Sequence, residues 1–172
     1  MSQADEASNV TLRELEARMR PGSFSEAGFL GPRERLNDVL AADARMLDDL
    51  GVSAQALAEQ LGQILEAGVA SESSSSRVKR YNVHIRRYKG PQICPFAPEP
   101  HENPCPGPGI GRLASIDWKV RNTRNSVELS GPGLIVHLIA SHGFFEGLES
   151  PYRVAPDALA KLLELGSFSP AI

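Results

Sequence analysis

Four residues with the chemistry of metal ligands lie in the second half of this 172-residue chain. Cys94 and Cys105 come first, in ICPFAPEPHENPC, and His137 and His142 follow, in GLIVHLIASHGFF. Two thiolates and two neutral imidazoles form a ligand set that Zn²⁺ accepts in tetrahedral geometry. The sequence therefore predicts one zinc site made by these four side chains, with His101 as an alternative ligand in place of either histidine.

The segment that carries the cysteines is stiff. Residues 91–108 contain seven prolines, which exclude a regular helix or a central strand. A proline-rich segment has little conformational freedom to lose, so we expect it to be anchored to the rest of the chain. A metal ion would provide that anchor.

The segment that carries the histidines is predicted to be a helix that opens at Pro132 and ends at Gly143. Five positions on a helix are about 140° apart. We therefore expect the last turn to unwind at Gly143, so that both imidazoles reach one ion.

A strand hairpin followed by a helix with two histidines, with two cysteines before it, resembles the two-cysteine, two-histidine zinc finger. The resemblance covers residues 94–142 and rests on Cys94, Cys105, His137 and His142. The histidine spacing matches the family. Ten residues separate the cysteines and 31 lie between Cys105 and His137, where the family has roughly two to four and about a dozen. The resemblance implies a structural metal site without sequence-specific DNA reading.

The redox state of the two cysteines depends on the compartment. The N-terminal sequence MSQADEASNVTLRELEAR has neither the basic start nor the apolar stretch of a signal peptide. This predicts a cytoplasmic protein with reduced thiols, whereas an oxidising location would favour a disulfide between Cys94 and Cys105.

A catalytic role depends on how many of the ligands bind. Four protein ligands close the coordination sphere, whereas three leave a position for water and make a zinc-dependent hydrolase the alternative. The sequence has no Gly-x-Ser-x-Gly motif and no glycine-rich phosphate loop. It therefore predicts no catalytic residue and favours a structural metal.

A second alternative is binding of RNA or single-stranded DNA by a basic strand at 77–89, where two tyrosines would stack bases and the cations would contact phosphates. The competing interpretation is a solvated edge strand, because positive charge discourages edge-to-edge pairing. The net charge of −3 also differs from the strongly basic character usual in nucleic-acid-binding domains. The basic residues are Arg77, Lys79, Arg80, Arg86, Arg87 and Lys89.

Charge and composition divide the chain. Residues 1–76 carry 6 Arg and 13 acidic residues (−7), and residues 77–172 carry 12 Lys or Arg and 8 acidic residues (+4). We predict an acidic helical region at 1–70, a flexible serine-rich linker at 71–76 and an α+β domain at 77–172 with the zinc site. The opposite charges of the two parts would attract each other.

Helical and strand periodicities give the fold class. We predict α+β: a helical N-terminal region, then a small antiparallel sheet with a Pro-rich metal-binding loop, and C-terminal helices. The predicted helices cover 11–20, 32–51, 53–68, 132–143 and 156–166, and the predicted strands lie near 81–85, 113–120 and 126–129.

The sequence does not identify a pathway. It predicts a structural-zinc protein that acts by binding a protein partner, or a second copy of itself through the N-terminal helices. The longest apolar run, residues 134–140, is interrupted by His137 and is too short to span a bilayer, so no membrane partner is expected.

Overall fold

The computed structural model describes residues 10–99 and 105–167. In these ranges the chain forms helices and one antiparallel sheet, which confirms the α+β class. The helices are α1 (Leu12–Met19), α2 (Leu36–Leu50), α3 (Ala54–Ala70), α4 (Ile135–His142) and α5 (Pro156–Leu163), with a 3-10 helix at Gly111–Ser115. The strands are β1 (Ser75–Val78), β2 (Tyr81–Arg87), β3 (Ile116–Asn122) and β4 (Glu128–Pro132).

The four strands form one sheet in the order β1-β2-β3-β4, with antiparallel neighbours. On β2, Tyr81, Val83 and Ile85 are buried while the residues between them are exposed, as the alternation in the sequence predicts. The buried face lies against the helices: α3 packs on β1, β2 and α4, while α5 packs on β3 and β4. The opposite face of the sheet is polar.

Local end signals correctly place several helix boundaries. Thr11 and Glu14 form the predicted capping box at α1, and the hydroxyl of Ser53 caps α3. Gly51 and Gly143 end α2 and α4 in the left-handed conformation, with φ of 66° and 60°.

The prediction that α2 begins at Pro32 is wrong, since the helix begins at Leu36. Tertiary hydrogen bonds hold the preceding residues in another conformation. Arg20 donates to the carbonyl oxygens of Gly31 and Glu34, and the amide of Leu36 donates to the Glu16 carboxylate at 3.0 Å.

The predicted end of α3 at Gly68 is also wrong, because the helix continues to Ala70. Gly68 lies where the helix meets the sheet, and a Cβ there would be 2.7 Å from Cγ1 of Val83. The glycine therefore permits close packing instead of ending the helix.

Three further boundaries differ from the sequence prediction. Residues 113–115 belong to a 3-10 helix, and β3 begins at Ile116. Pro132 ends β4 and does not open α4, which begins at Ile135. Gly133, which follows Pro132, approaches the carbonyl of Leu113 so closely that no Cβ would fit. The final helix ends at Leu163, before Gly166.

The predicted basic strand at 77–89 is two strands joined by a turn. β1 pairs with β2 around Lys79 and Arg80, and Lys79 has a φ of 52°. Ser75 and Ser76 pair with His84 and Val83, so the sheet begins inside the serine-rich segment. The division of the chain at 71–76 stays a prediction.

None of the helices in the described ranges is long and apolar enough to cross a membrane.

Candidate metal centre

Cys94, Cys105, His137 and His142 come together in the structure. Their potential ligand atoms all lie within 4.8 Å of one another. Nε2 of His142 is 3.5 Å from Sγ of Cys94 and also 3.5 Å from Sγ of Cys105. In a tetrahedral zinc site, bond lengths of about 2.3 Å to sulfur and 2.0–2.1 Å to nitrogen place S and N about 3.6 Å apart. The two measured separations agree with that geometry.

His137 is oriented by the proline-rich loop. Its ring is fully buried, and Nδ1 lies 3.1 Å from the carbonyl oxygen of Pro108. A carbonyl only accepts, so Nδ1 carries the proton and the lone pair is on Nε2. Nε2 is buried and has no hydrogen-bond partner. A buried acceptor without a partner is costly, and a metal ion would satisfy it, with Pro108 as the outer hydrogen bond that metal-binding histidines usually have.

His142 is held by an aromatic ring. The ring of Phe96 stacks on the imidazole with centroids 4.1 Å apart and planes 9° from parallel, and the same ring meets Phe144 edge to face. This contact fixes the plane in which Nε2 points at the two sulfurs. α4 keeps its helical form through His142, so the predicted unwinding of the last turn is not needed.

The two thiols are free and are not joined to each other. Burial raises the pKa of the Cys94 thiol to about 12, and the nearby Cys105 sulfur adds to this. Burial lowers the pKa of His142 to about 4, and that of His137 also lies below its usual value. The imidazoles are thus in the neutral form that binds metal, and a divalent cation would supply the charge that stabilises the thiolates.

The proline-rich loop is fixed from two directions. The Arg18 guanidinium on α1 donates to the carbonyl oxygens of Ala97 at 2.6 Å, Pro95 at 3.2 Å and Pro98 at 3.3 Å. On the other side, Gly109 lies against the backbone of His137. The loop is therefore held at both ends by protein contacts, with Cys94 directly before the first anchor and Cys105 between the two.

Sequence reasoning missed Arg18, Phe96 and Gly109 as parts of the centre. Gly109 belongs to the run GPGIG, which indicates turn glycines, and its φ of 80° agrees with a turn. The packing against His137 is an additional role that has no local signal. The alternative ligand His101 lies outside the described residues.

The basic residues predicted to contact nucleic acid have different environments. Arg80 pairs with Glu164 at 2.6 Å, and Arg87 donates to the carbonyl oxygens of Val69 and Ser71. Arg77 donates to Thr123 and Arg86 lies over the Tyr88 ring. Lys79 lies in the turn before β2 and Lys89 in the bend after it, and both are exposed.

Comparison with models of protein families, with curated proteins and with solved structures finds no match for this chain.

Proposed function

We propose that Cys94, Cys105, His137 and His142 bind one structural Zn²⁺. The observation that carries this proposal is the position of His142 Nε2, 3.5 Å from two sulfurs that lie 48 and 37 residues away in the chain. No packing requirement brings two thiols and two imidazoles to one point, whereas a tetrahedral cation requires it.

The metal would join the proline-rich loop to the end of α4. Ligand geometry of this kind exists only in the folded chain, so binding free energy becomes folding free energy. Because two thiolates and two imidazoles leave no coordination position open, the ion would have a structural role. A hydrolase would require that only three of the four side chains bind the ion, so that water can occupy the fourth coordination position.

The proposal includes a reducing, cytoplasmic environment, which keeps both sulfurs available as thiolates. It also includes action through a protein partner or a second copy of the chain. Size-exclusion chromatography with light scattering tests self-association through the N-terminal helices.

The metal content of the purified protein tests the zinc proposal. Elemental analysis after purification without added metal should give about one zinc per chain. Cys105→Ser should lose the ion, because an alcohol does not replace a thiolate at neutral pH. His84→Gln is the matched control: His84 is an exposed histidine on β2 whose side chain, among the described residues, hydrogen-bonds Ser75 alone, and the variant should keep its zinc.

Cobalt substitution gives an independent reading of the ligand set. Co²⁺ in a site with two sulfurs and two nitrogens should show thiolate charge-transfer bands and the strong ligand-field bands of tetrahedral cobalt. Substoichiometric zinc, or a cobalt spectrum without thiolate bands, would refute the proposed centre.

Binding of single-stranded nucleic acid is less well supported. Arg80 and Arg87 are committed to contacts within the protein, which leaves fewer cations for phosphates. Oligonucleotide affinity that falls steeply with salt would favour this alternative.

A further inference from the structure

A cavity of about 520 Å³ opens where β2 ends and β3 begins, between residues 25–29, the start of β3 and the segment after α4. Among the residues that the structure describes, its lining includes none of the four candidate metal ligands. The argument concerns six of the lining side chains, which are Glu26, Tyr88, Gln92, Asp117, Glu146 and Tyr152.

The lining is acidic. It contains three carboxylic side chains and, within the described ranges, neither Lys nor Arg. The two nearby cations already have fixed partners. Arg153 forms a two-point pair with Asp43 at 2.7 and 3.0 Å, and Arg86 lies over the ring of Tyr88.

Glu146 is the buried polar residue of this lining. It is 2 % exposed, and a single hydrogen bond, from Oγ of Ser150 to Oε2 at 3.1 Å, reaches its carboxyl group. Oε1 receives none from the described residues. Burial raises the pKa of this carboxyl group to about 8, so at neutral pH it holds a proton unless a bound cation favours the ionised form. The carboxylate then has room for about four donors, of which the described residues supply one.

Gln92 provides a second acceptor without a partner. Its Oε1 atom is buried and has no hydrogen bond in the described structure. Buried acceptors of this kind are rare in folded proteins unless a bound molecule satisfies them. Among the described residues, Oε1 of Gln92 therefore has no donor and the carboxyl group of Glu146 has one, which leaves both able to accept hydrogen bonds from a bound molecule.

Aromatic rings complete the cavity. Tyr88 and Tyr152 are 38 % and 42 % exposed, and both line the cavity. The hydroxyl of Tyr88 donates to Oδ2 of Asp117, which fixes the ring. Ring faces attract cations, and the Arg86 guanidinium, 5.5 Å from the Tyr88 centroid, shows this attraction within the protein itself.

We propose that this cavity binds a small organic cation that donates hydrogen bonds, an alkylammonium or alkylguanidinium group. The cationic head donates to Glu146 and Gln92, Asp117 balances its charge, and the tyrosine rings cover its alkyl chain. Neutral molecules gain no charge-assisted hydrogen bonds here, which are about twice as strong as neutral ones, and anions are repelled.

Calorimetric titration with butylammonium and butylguanidinium tests the proposal, with 1-butanol as the neutral molecule of the same chain length. At least one cation should bind saturably while 1-butanol does not. In Glu146→Gln, affinity should fall about tenfold or more, since removing a charged partner costs at least about 1.4 kcal/mol. Asp117→Asn should weaken binding in the same direction.

The matched control is Glu128→Gln, which removes one negative charge from an exposed position on β4 whose ion-pair partner within the described ranges is Lys119. Its affinity should equal that of the wild type. Amide chemical shifts provide the location, with changes expected at 25–29, 88–92, 117 and 146–152. Absence of saturable binding of both cations, equal binding of 1-butanol, or unchanged affinity in Glu146→Gln would overturn the proposal.

Discussion

Gly109 packs so tightly against His137 that a Cβ on the glycine would lie 2.4 Å from the histidine's backbone nitrogen. This contact brings the proline-rich loop onto α4 and places the carbonyl of Pro108 beside the imidazole. The position of a candidate metal ligand thus depends on the absence of a side chain two residues before the 3-10 helix.

Gly109→Ala should therefore weaken both the fold and metal binding. The matched control is Gly111→Ala, which has a similar φ of 85° but no atom within 4 Å of the added methyl. The control carries only the left-handed backbone cost of about 1–2 kcal/mol. Zinc affinity should fall in Gly109→Ala alone. Equal affinities in a competition assay with a chromogenic chelator would contradict the role of this contact.

Removal of the metal should loosen one part of the chain. With a strong chelator, amide hydrogen exchange should increase in 93–99, 105–110 and the last turn of α4, because these segments share the ion. Amides in the β2–β3 ladder should change less, since backbone pairing holds them. Cys105→Ser provides the control, as chelator should have no effect on it. A uniform increase across the sheet would indicate that the metal supports the whole fold.

Gly68→Ala should destabilise the protein although alanine favours helices. The new methyl group would meet Cγ1 of Val83 at 2.7 Å, and overpacking of this kind costs about 1–3 kcal/mol. In a Val83→Ala background the same change should be neutral or stabilising. Gly62→Ala is the comparison, with its nearest neighbour at 3.3 Å. Urea unfolding gives the free energy of unfolding of each variant. If Gly68→Ala still lowers it in the Val83→Ala background, the steric explanation is excluded.

Asp43→Asn should be among the more damaging polar substitutions. The side chains of Asp43 and Arg153 are 3 % and 10 % exposed, and removing one member of a buried pair typically costs about 3–5 kcal/mol. The exposed pair between Glu66 and Arg112, at 3.6 Å, is the control, and Glu66→Gln should cost about 0–1 kcal/mol. Thermal unfolding compares the two, and similar losses would contradict the importance of burial.

Stability should fall as the pH rises through the range in which Glu146 titrates. Burial raises the pKa of this carboxyl group from 4.5 to about 8, against smaller opposite effects of Ser150 and Arg153. Between these values the folded protein holds a proton that the unfolded chain has lost, so the free energy of unfolding decreases with increasing pH. Above pH 8 the decrease stops.

Glu146→Gln should flatten this part of the pH profile, because its amide does not titrate. Urea unfolding at several pH values from 5 to 8.5 provides the measurement. An identical slope in the variant and the wild type would assign the pH dependence to other groups.

The sequence by itself determined the features that depend on neighbouring residues. Thr11 and Glu14 cap α1, Gly51 and Gly143 end their helices, and the alternation from Tyr81 identifies a strand with one buried face. Each of these signals acts within about one turn or one strand, where local geometry determines the energy. The residue types also identified the candidate ligand set.

Only the tertiary structure decided which distant groups meet. Glu16 and Arg20 reach the segment before α2, so the helix begins at Leu36 instead of Pro32. Arg18 holds a loop about 80 residues away, and Glu146 is buried with a single donor to its carboxyl group from the part of the chain that the structure describes. Hydrogen bonds and packing between residues far apart in the chain leave no periodicity in the sequence, because their energy depends on where the whole backbone brings each side chain.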